Sequence, residues 1–225
     1  IAFASCELLD DRPLDKIGAY DVFKDSTRVD AYVLGLYKYL PQGYNRFDNQ
    51  AMLSSATDES TQCISNNGMT PFINGSWGPT SNPDAGWSNY YEGIMMVNVL
   101  FENIGMLYPS TSEAFKNSVL AEAHFLRAYY HFELVKRFGG IPIVTRTFTA
   151  NDNPDIPRDS YADCVDFIVD ECDSAILYLP TVEVASRVGR ASGVAAMALK
   201  SRVLLYAASP LFNGPDVTGS NNVLA

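Results

Sequence analysis

Between residues 58 and 91 the chain gathers Asp58, Glu59, Asn66, Asn67, Asn74, Trp77, Asn82, Trp87 and Tyr90. Flat aromatic faces suit the C–H face of a pyranose ring. Planar carboxylate and amide groups hydrogen-bond its hydroxyls, so these residue types together fit sugar recognition. Trp77 stands in Asn74-Gly75-Ser76-Trp77-Gly78-Pro79, among flexible residues, and is the foremost stacking candidate. The competing role for Trp77 is that of a loop anchor buried on the core. Asn74, Asn67, Asp58 and Glu59 are its polar companions, although Asp58 and Glu59 equally suit capping of the segment after them. Trp87 opens a helical pattern and reads as structural.

Other chemistries are poorly supported. Retaining glycoside hydrolysis needs two carboxyl groups about 5–5.5 Å apart, flanking the bond and normally carried by separate elements. Adjacent Asp58 and Glu59 do not meet that description. His124 and His131 share a helical stripe but lie about 10 Å apart along it, too far to hold one metal ion. Arg127, one turn after His124, suits structural bonds to neighbouring helix ends or carboxylates. The four cysteines, Cys6, Cys63, Cys164 and Cys172, show neither CxxC nor zinc-type spacing. Cys164 and Cys172 fall about 12 Å apart on one helix, beyond disulfide reach, and read as small core residues. No glycine-rich phosphate loop or nucleophile triad is visible, and no cofactor is implied. A net charge of −10 with no Lys/Arg-rich run argues against nucleic acid.

The elements that must position these residues are helical. The 225 residues are 47% hydrophobic, enough for a sizeable core. Ser26 or Thr27 is expected to cap a first helix, with Asp30 completing a capping box, and Pro41-Gln42-Gly43 to end it. Residues 44 to 86 lack periodicity and form a long loop region with room for short helices or strands. A second helix is expected from about Ser88 to Tyr108. A third runs from 113 to 138, capped by Ser112 and stopped by Gly139-Gly140. Its stripe of Phe125, Tyr129, Tyr130, Phe132 and Phe138 reads as core. Ile141 to Val144 is a short extended piece, followed by a polar loop over 145–158. A fourth helix spans about 160–179, and Gly189-Arg190-Ala191 opens a fifth, to about Ala208. The fold class is therefore all-α: two antiparallel helix pairs, 88–138 and 160–208, of irregular tetratricopeptide-like character with long loops.

One segment is specific enough to resemble a family. Ala121-Glu122-Ala123-His124-Phe125-Leu126-Arg127-Ala128, continuing through Tyr129-Tyr130-His131-Phe132 to Gly139-Gly140-Ile141-Pro142, is very similar to the signature helix and turn of SusD/RagB proteins. Collinear similarities follow in Arg158-Asp159-Ser160-Tyr161, in Ala175 to Pro180, and from Gly189-Arg190-Ala191 to Leu204-Leu205-Tyr206. Thr57-Asp58-Glu59 and Trp87 to Asn98 are similar upstream, so the resemblance covers roughly residues 6 to 212. It implies a SusD-like all-α fold, of which residues 7–225 form the N-terminal part of a single helical domain, truncated relative to the family. It also implies a non-enzymatic surface lipoprotein of the outer membrane of Bacteroidota that captures a glycan. The captured glycan would pass to a TonB-dependent, SusC-like transporter. Capture of peptide or glycopeptide cargo, and a scaffold that binds only protein, remain the alternatives. Phe3-Ala4-Ser5-Cys6 is similar to the end of a lipoprotein signal peptide, which makes residues 1–6 a signal remnant and Cys6 the expected lipidation site.

Overall fold

The computed structural model describes residues 18–41, 52–61, 68–78, 80–84, 86–149, 151–152, 155–182 and 187–213. Cys6, Cys63, Asn66 and Asn67 lie outside these residues. The described elements are α1 (Ala19–Phe23), α2 (Ser26–Leu36), α3 (Thr70–Asn74), α4 (Trp87–Asn103), α5 (Glu113–Phe138), α6 (Tyr161–Ile176), α7 (Gly193–Ala207) and α8 (Pro210–Asn213). Short 3₁₀ turns at Tyr37–Tyr39, Leu53–Ala56 and Ile104–Met106 complete them. Among the described residues there is no strand, only an isolated antiparallel bridge between Gly78 and Ser81.

Local chemistry sets the helix boundaries. Ser112, Ser160 and Ser192 accept hydrogen bonds from the backbone N–H groups of Phe115, Asp163 and Ala195, so each satisfies a donor that the first helical turn leaves open. At its other end α5 stops at Gly139, whose φ of 69° takes the chain out of the helix. Several expected boundaries move: α4 ends at Asn103, with a 3₁₀ turn in place of its expected last turn to Tyr108, and α6 ends at Ile176 rather than 179. The cap of α2 is Asp25, which accepts from Arg28 N, whereas Asp30 is drawn away to pair with Arg190. The last long helix begins at Gly193, because Gly189 sits at φ +83° and Arg190 is held by Glu122 and Asp30.

Ring and hydrogen-bond partners establish the helix directions. Trp87, Tyr90, Asn98 and Phe101 of α4 meet Phe138, Glu133, Arg127 and His124 of α5, in reverse order. Likewise Arg127 and His131 meet Glu171 and Phe167 of α6. Both neighbouring pairs are antiparallel, and α7 packs on α6. The centre of α5 is buried nearly all round, from Val119 to Val135, as a helix with partners on several sides must be. One apolar core joins α1, α2, α4, α5, α6 and α7.

That core contains charge. Arg127 donates to both oxygens of Glu171 from Nε (2.7 Å) and Nη2 (2.8 Å), and to Asn98 from Nη1 (3.0 Å). Asn98 in turn donates to the carbonyls of Val144 and Arg146, which pins the extended piece after α5. Burial pushes the Glu171 carboxyl up, but the bonds from His124 and Arg127 outweigh it and hold the group below its usual value. A second buried carboxylate, Glu122, accepts from Tyr37, Arg190 and Arg187, so α2 and the segment before α7 are tied to α5. Cys164 and Cys172 are unbridged and buried.

Candidate functional site

The segment 68–84 is built differently. Thr70-Pro71 opens α3, where the proline ring pre-sets φ and its missing N–H is not needed, and Gly75 closes it at φ +69°. Ser76 N donates to Pro71 O, and also to Asn74 Oδ1 at 3.0 Å. The Asn74 side chain thus serves its own turn. This short helix and turn leave Trp77 52% exposed, with the Phe72 ring behind it at a centroid distance of 5.8 Å and a tilt of 47°. Ile73 is exposed on the same helix. An aromatic face supported from behind by a second ring and open in front offers a flat apolar surface at little ordering cost. The burial that would have made Trp77 a mere loop anchor is absent.

Beyond Trp77 the chain doubles back. Gly78 and Ser81 exchange two backbone hydrogen bonds, and Asn82 Oδ1 accepts from Asp84 N at 3.0 Å. Asp84 then meets Arg137 of α5. Asp58 and Glu59 are exposed just after the 3₁₀ turn Leu53–Ala56, and that turn packs against α3. The 3₁₀ turn that precedes Asp58 and Glu59 thus packs on the helix that carries Asn74, with Trp77 three residues beyond Asn74; Asn67 is outside the described residues. Glu59 N donates weakly to Thr57 Oγ1, a local turn bond.

Two aromatics of the sequence set do not belong to this surface. Tyr90 is buried, with its hydroxyl donating to Glu133, because it falls on the same face of α4 as Ile94 and Val97. Trp87 is half-buried between Tyr91 and Phe138, with the Arg158 guanidinium over its ring, in the structural role expected of it. Phe72 was not among the sequence candidates. Its signal is the Pro71…Gly75 pair, which brackets one helical turn and sets the ring against Trp77. His124 bonds Glu171 and His131 bonds the Arg127 carbonyl, so both histidines serve the core. Among the described residues no group of three or more His, Cys, Asp or Glu could hold a metal ion, and no helix is long and apolar enough to cross a membrane.

With this geometry in view, comparison with known proteins is informative. Residues 7–205 match the SusD-like family described as "Starch-binding associating with outer membrane". The chain belongs to that SusD-like family. It is 25% identical over 198 residues to SusD-like protein P38 of Formosa agariphila, which covers 88% of this chain and 35% of that protein. A crystal structure of a SusD-like protein from Bacteroides fragilis matches with a TM-score of 0.67 and 32% identity over 87% of this chain and 37% of its own. A laminarin-binding SusD-like protein matches with a TM-score of 0.71 and 26% identity, over 82% of this chain and 41% of its own. The all-α architecture is thus the SusD-like one. This chain spans about a third of the length of the curated relative, at 35%.

Proposed function

We propose that this SusD-like chain is part of a non-enzymatic protein that captures a glycan at the cell surface and hands it to a TonB-dependent, SusC-like outer-membrane transporter. The observation that carries the reading is Trp77: an indole half open to solvent, backed by Phe72, on a segment held by local turn hydrogen bonds. Such a face suits stacking on a pyranose, and Asp58 and Glu59, exposed just after the 3₁₀ turn that packs against α3, are proposed to supply acceptors for its hydroxyls. Membership of a family described as starch-binding, and similarity to a laminarin-binding protein, support a sugar cargo. Adjacent carboxylates on one turn do not flank a glycosidic bond, which supports binding over hydrolysis.

The same reading puts the protein on the outer-membrane surface, anchored by lipid at Cys6. Intact mass of protein taken from that membrane tests the anchor: acyl mass on the wild type and none on Cys6→Ser supports it, and unmodified wild type removes it. A protein-binding scaffold is the second reading, and the exposed apolar side chains Val194, Met197, Leu204 and Leu205 of α7 favour it as a contact face.

Tryptophan fluorescence titration with an oligosaccharide panel, including laminarin oligosaccharides, decides between them. A saturable change that is lost in Trp77→Ala, with circular dichroism intact, supports glycan capture through Trp77. No response to any sugar in a folded protein transfers the role to peptide cargo or to protein contact alone.

A further inference from the structure

The segment that carries Trp77 is tied to the helical scaffold by a half-buried arginine. Arg137, in the last turn of α5, donates from Nε to the Asp84 carbonyl (2.8 Å) and to Asp84 Oδ2 (3.1 Å), and from Nη2 to Asp84 Oδ1 (2.9 Å). Its Nη1 is taken up by the Glu133 carbonyl (2.9 Å) and Glu133 Oε2 (2.6 Å), and Tyr90 lies under the guanidinium at 5.4 Å. Glu133 is itself buried, and Lys136 and Tyr90 complete its bonding. The planar guanidinium fork fixes direction as well as distance, which a lysine ammonium does not. From Asp84 back to Trp77 the chain is stiffened by two local closures, the Asn82–Asp84 turn and the Gly78–Ser81 bridge. These two closures lie between the Asp84 tie and Trp77.

We infer that the Asp84–Arg137 pair is a positioning device that holds the Trp77 face in one orientation before any ligand arrives. The inference rests on the glycan-capture reading for its biological meaning, but the ordering of Trp77 is measurable without a sugar. Pre-ordering matters because a binding face that must be immobilised on contact loses part of its affinity to that ordering. Asp84, on the exposed side of the pair, is the residue to change, since removing Arg137 would strand the buried Glu133 carboxylate.

The chain contains two tryptophans, so in a Trp87→Phe background Trp77 is the sole indole. Time-resolved anisotropy of that indole, without ligand, is compared for the parent, Asp84→Ala, Asp84→Asn and a remote control, Asp173→Ala, which breaks the exposed pair with Lys200. The expected result is a nanosecond component about twice as large in Asp84→Ala, partial recovery in Asp84→Asn, and no change in the control. Titration with laminarin oligosaccharides then gives roughly threefold to tenfold weaker binding for Asp84→Ala, the loss associated with immobilising one or two side chains. An unchanged decay in Asp84→Ala overturns the inference, whatever the sugars do. A changed decay in a folded protein that binds no sugar upholds the positioning role and overturns the glycan reading instead.

Discussion

Segment 68–84 and helix α5 handle polar groups in opposite ways. In α5 the polar side chains face inward and are satisfied by distant partners: Glu122 by Tyr37 and two arginines, Arg127 by Glu171 and Asn98, Glu133 by Tyr90 and Arg137. In 68–84 Asn74 and Asn82 close on backbone two residues away, Asp84 reaches across to Arg137 at the segment's far end, and the aromatic side chain of Trp77 is turned outward. A buried charge network specifies one arrangement of helices and tolerates little change. A segment with locally satisfied backbone leaves its side chains available and replaceable. Under the proposed function, stability and recognition fall to different parts of the chain, and substitutions should separate them.

The largest separation is expected at Arg127. Replacement by Leu leaves Glu171 buried without its bidentate partner and frees Asn98, for an expected loss of about 3–5 kcal/mol in urea unfolding. A loss below about 1 kcal/mol would falsify the view that α5 is held by this network. The next largest effect is of pH. His131 is buried, its Nδ1 donates to the Arg127 carbonyl, and its Nε2 has no partner among the described residues. Burial pushes its value down from 6.5 to about 4, against the smaller opposing pull of the carbonyl bond. The unfolded chain therefore takes up the proton first as pH falls. The stability contribution is complete above about pH 6.5 and is lost progressively towards pH 4, on the order of 3 kcal/mol. Unfolding of His131→Phe across the same range isolates it, because the remaining slope belongs to carboxylates such as Glu171, whose lowered value also withdraws stability on acidification below about 4.5. Equal slopes in the two proteins would remove His131 as the cause.

Much of the scaffold was legible in the sequence because its signals are local. Ser112 and Gly139 bracket α5 as expected, and Ser160 caps α6. The two helix pairs follow from spacing and turn chemistry, and the structural role of Trp87 from the helix it opens together with the family resemblance. What escaped depends on partners far along the chain. Asp30 looked like part of a capping box and instead pairs with Arg190, 160 residues away. The same partner, with Gly189 in the left-handed region, delays the start of α7 to Gly193. The partners of Glu122, Glu133 and Glu171 were not legible, since a single sequence does not reveal which arginine will meet them. Tyr90 is a different case: its spacing from Ile94 and Val97 already marked a buried face, and composition outweighed that period. At the candidate surface Trp77 and Asn74 stood out by type, while the supporting Phe72 and the Asp84–Arg137 tie depended on tertiary contact.

Glycine substitutions sharpen the comparison at smaller scale. An Ala Cβ at Gly93 of α4 would lie 2.9 Å from Tyr130 Cε2 and 3.1 Å from Tyr39 Cβ. Tyr130 is fully buried and its hydroxyl donates to Leu36 O at 2.6 Å, so the ring has nowhere to swing. Gly93→Ala is expected to cost about 1–3 kcal/mol by overpacking. At Gly75 nothing lies within 4 Å of an added Cβ, and only the φ of +69° opposes it, at about 1 kcal/mol. Gly75→Ala would also shift the turn that presents Trp77, so its melting temperature should fall less than that of Gly93→Ala while its sugar affinity falls more. The smallest expected stability change is that of Trp77→Ala, under about 1 kcal/mol, because half of the indole is already in water and Phe72 is its one ring partner among the described residues. If Trp77→Ala instead unfolds the protein by several kcal/mol, the indole belongs to the core, and the division of labour between α5 and segment 68–84 fails at the residue on which recognition was placed.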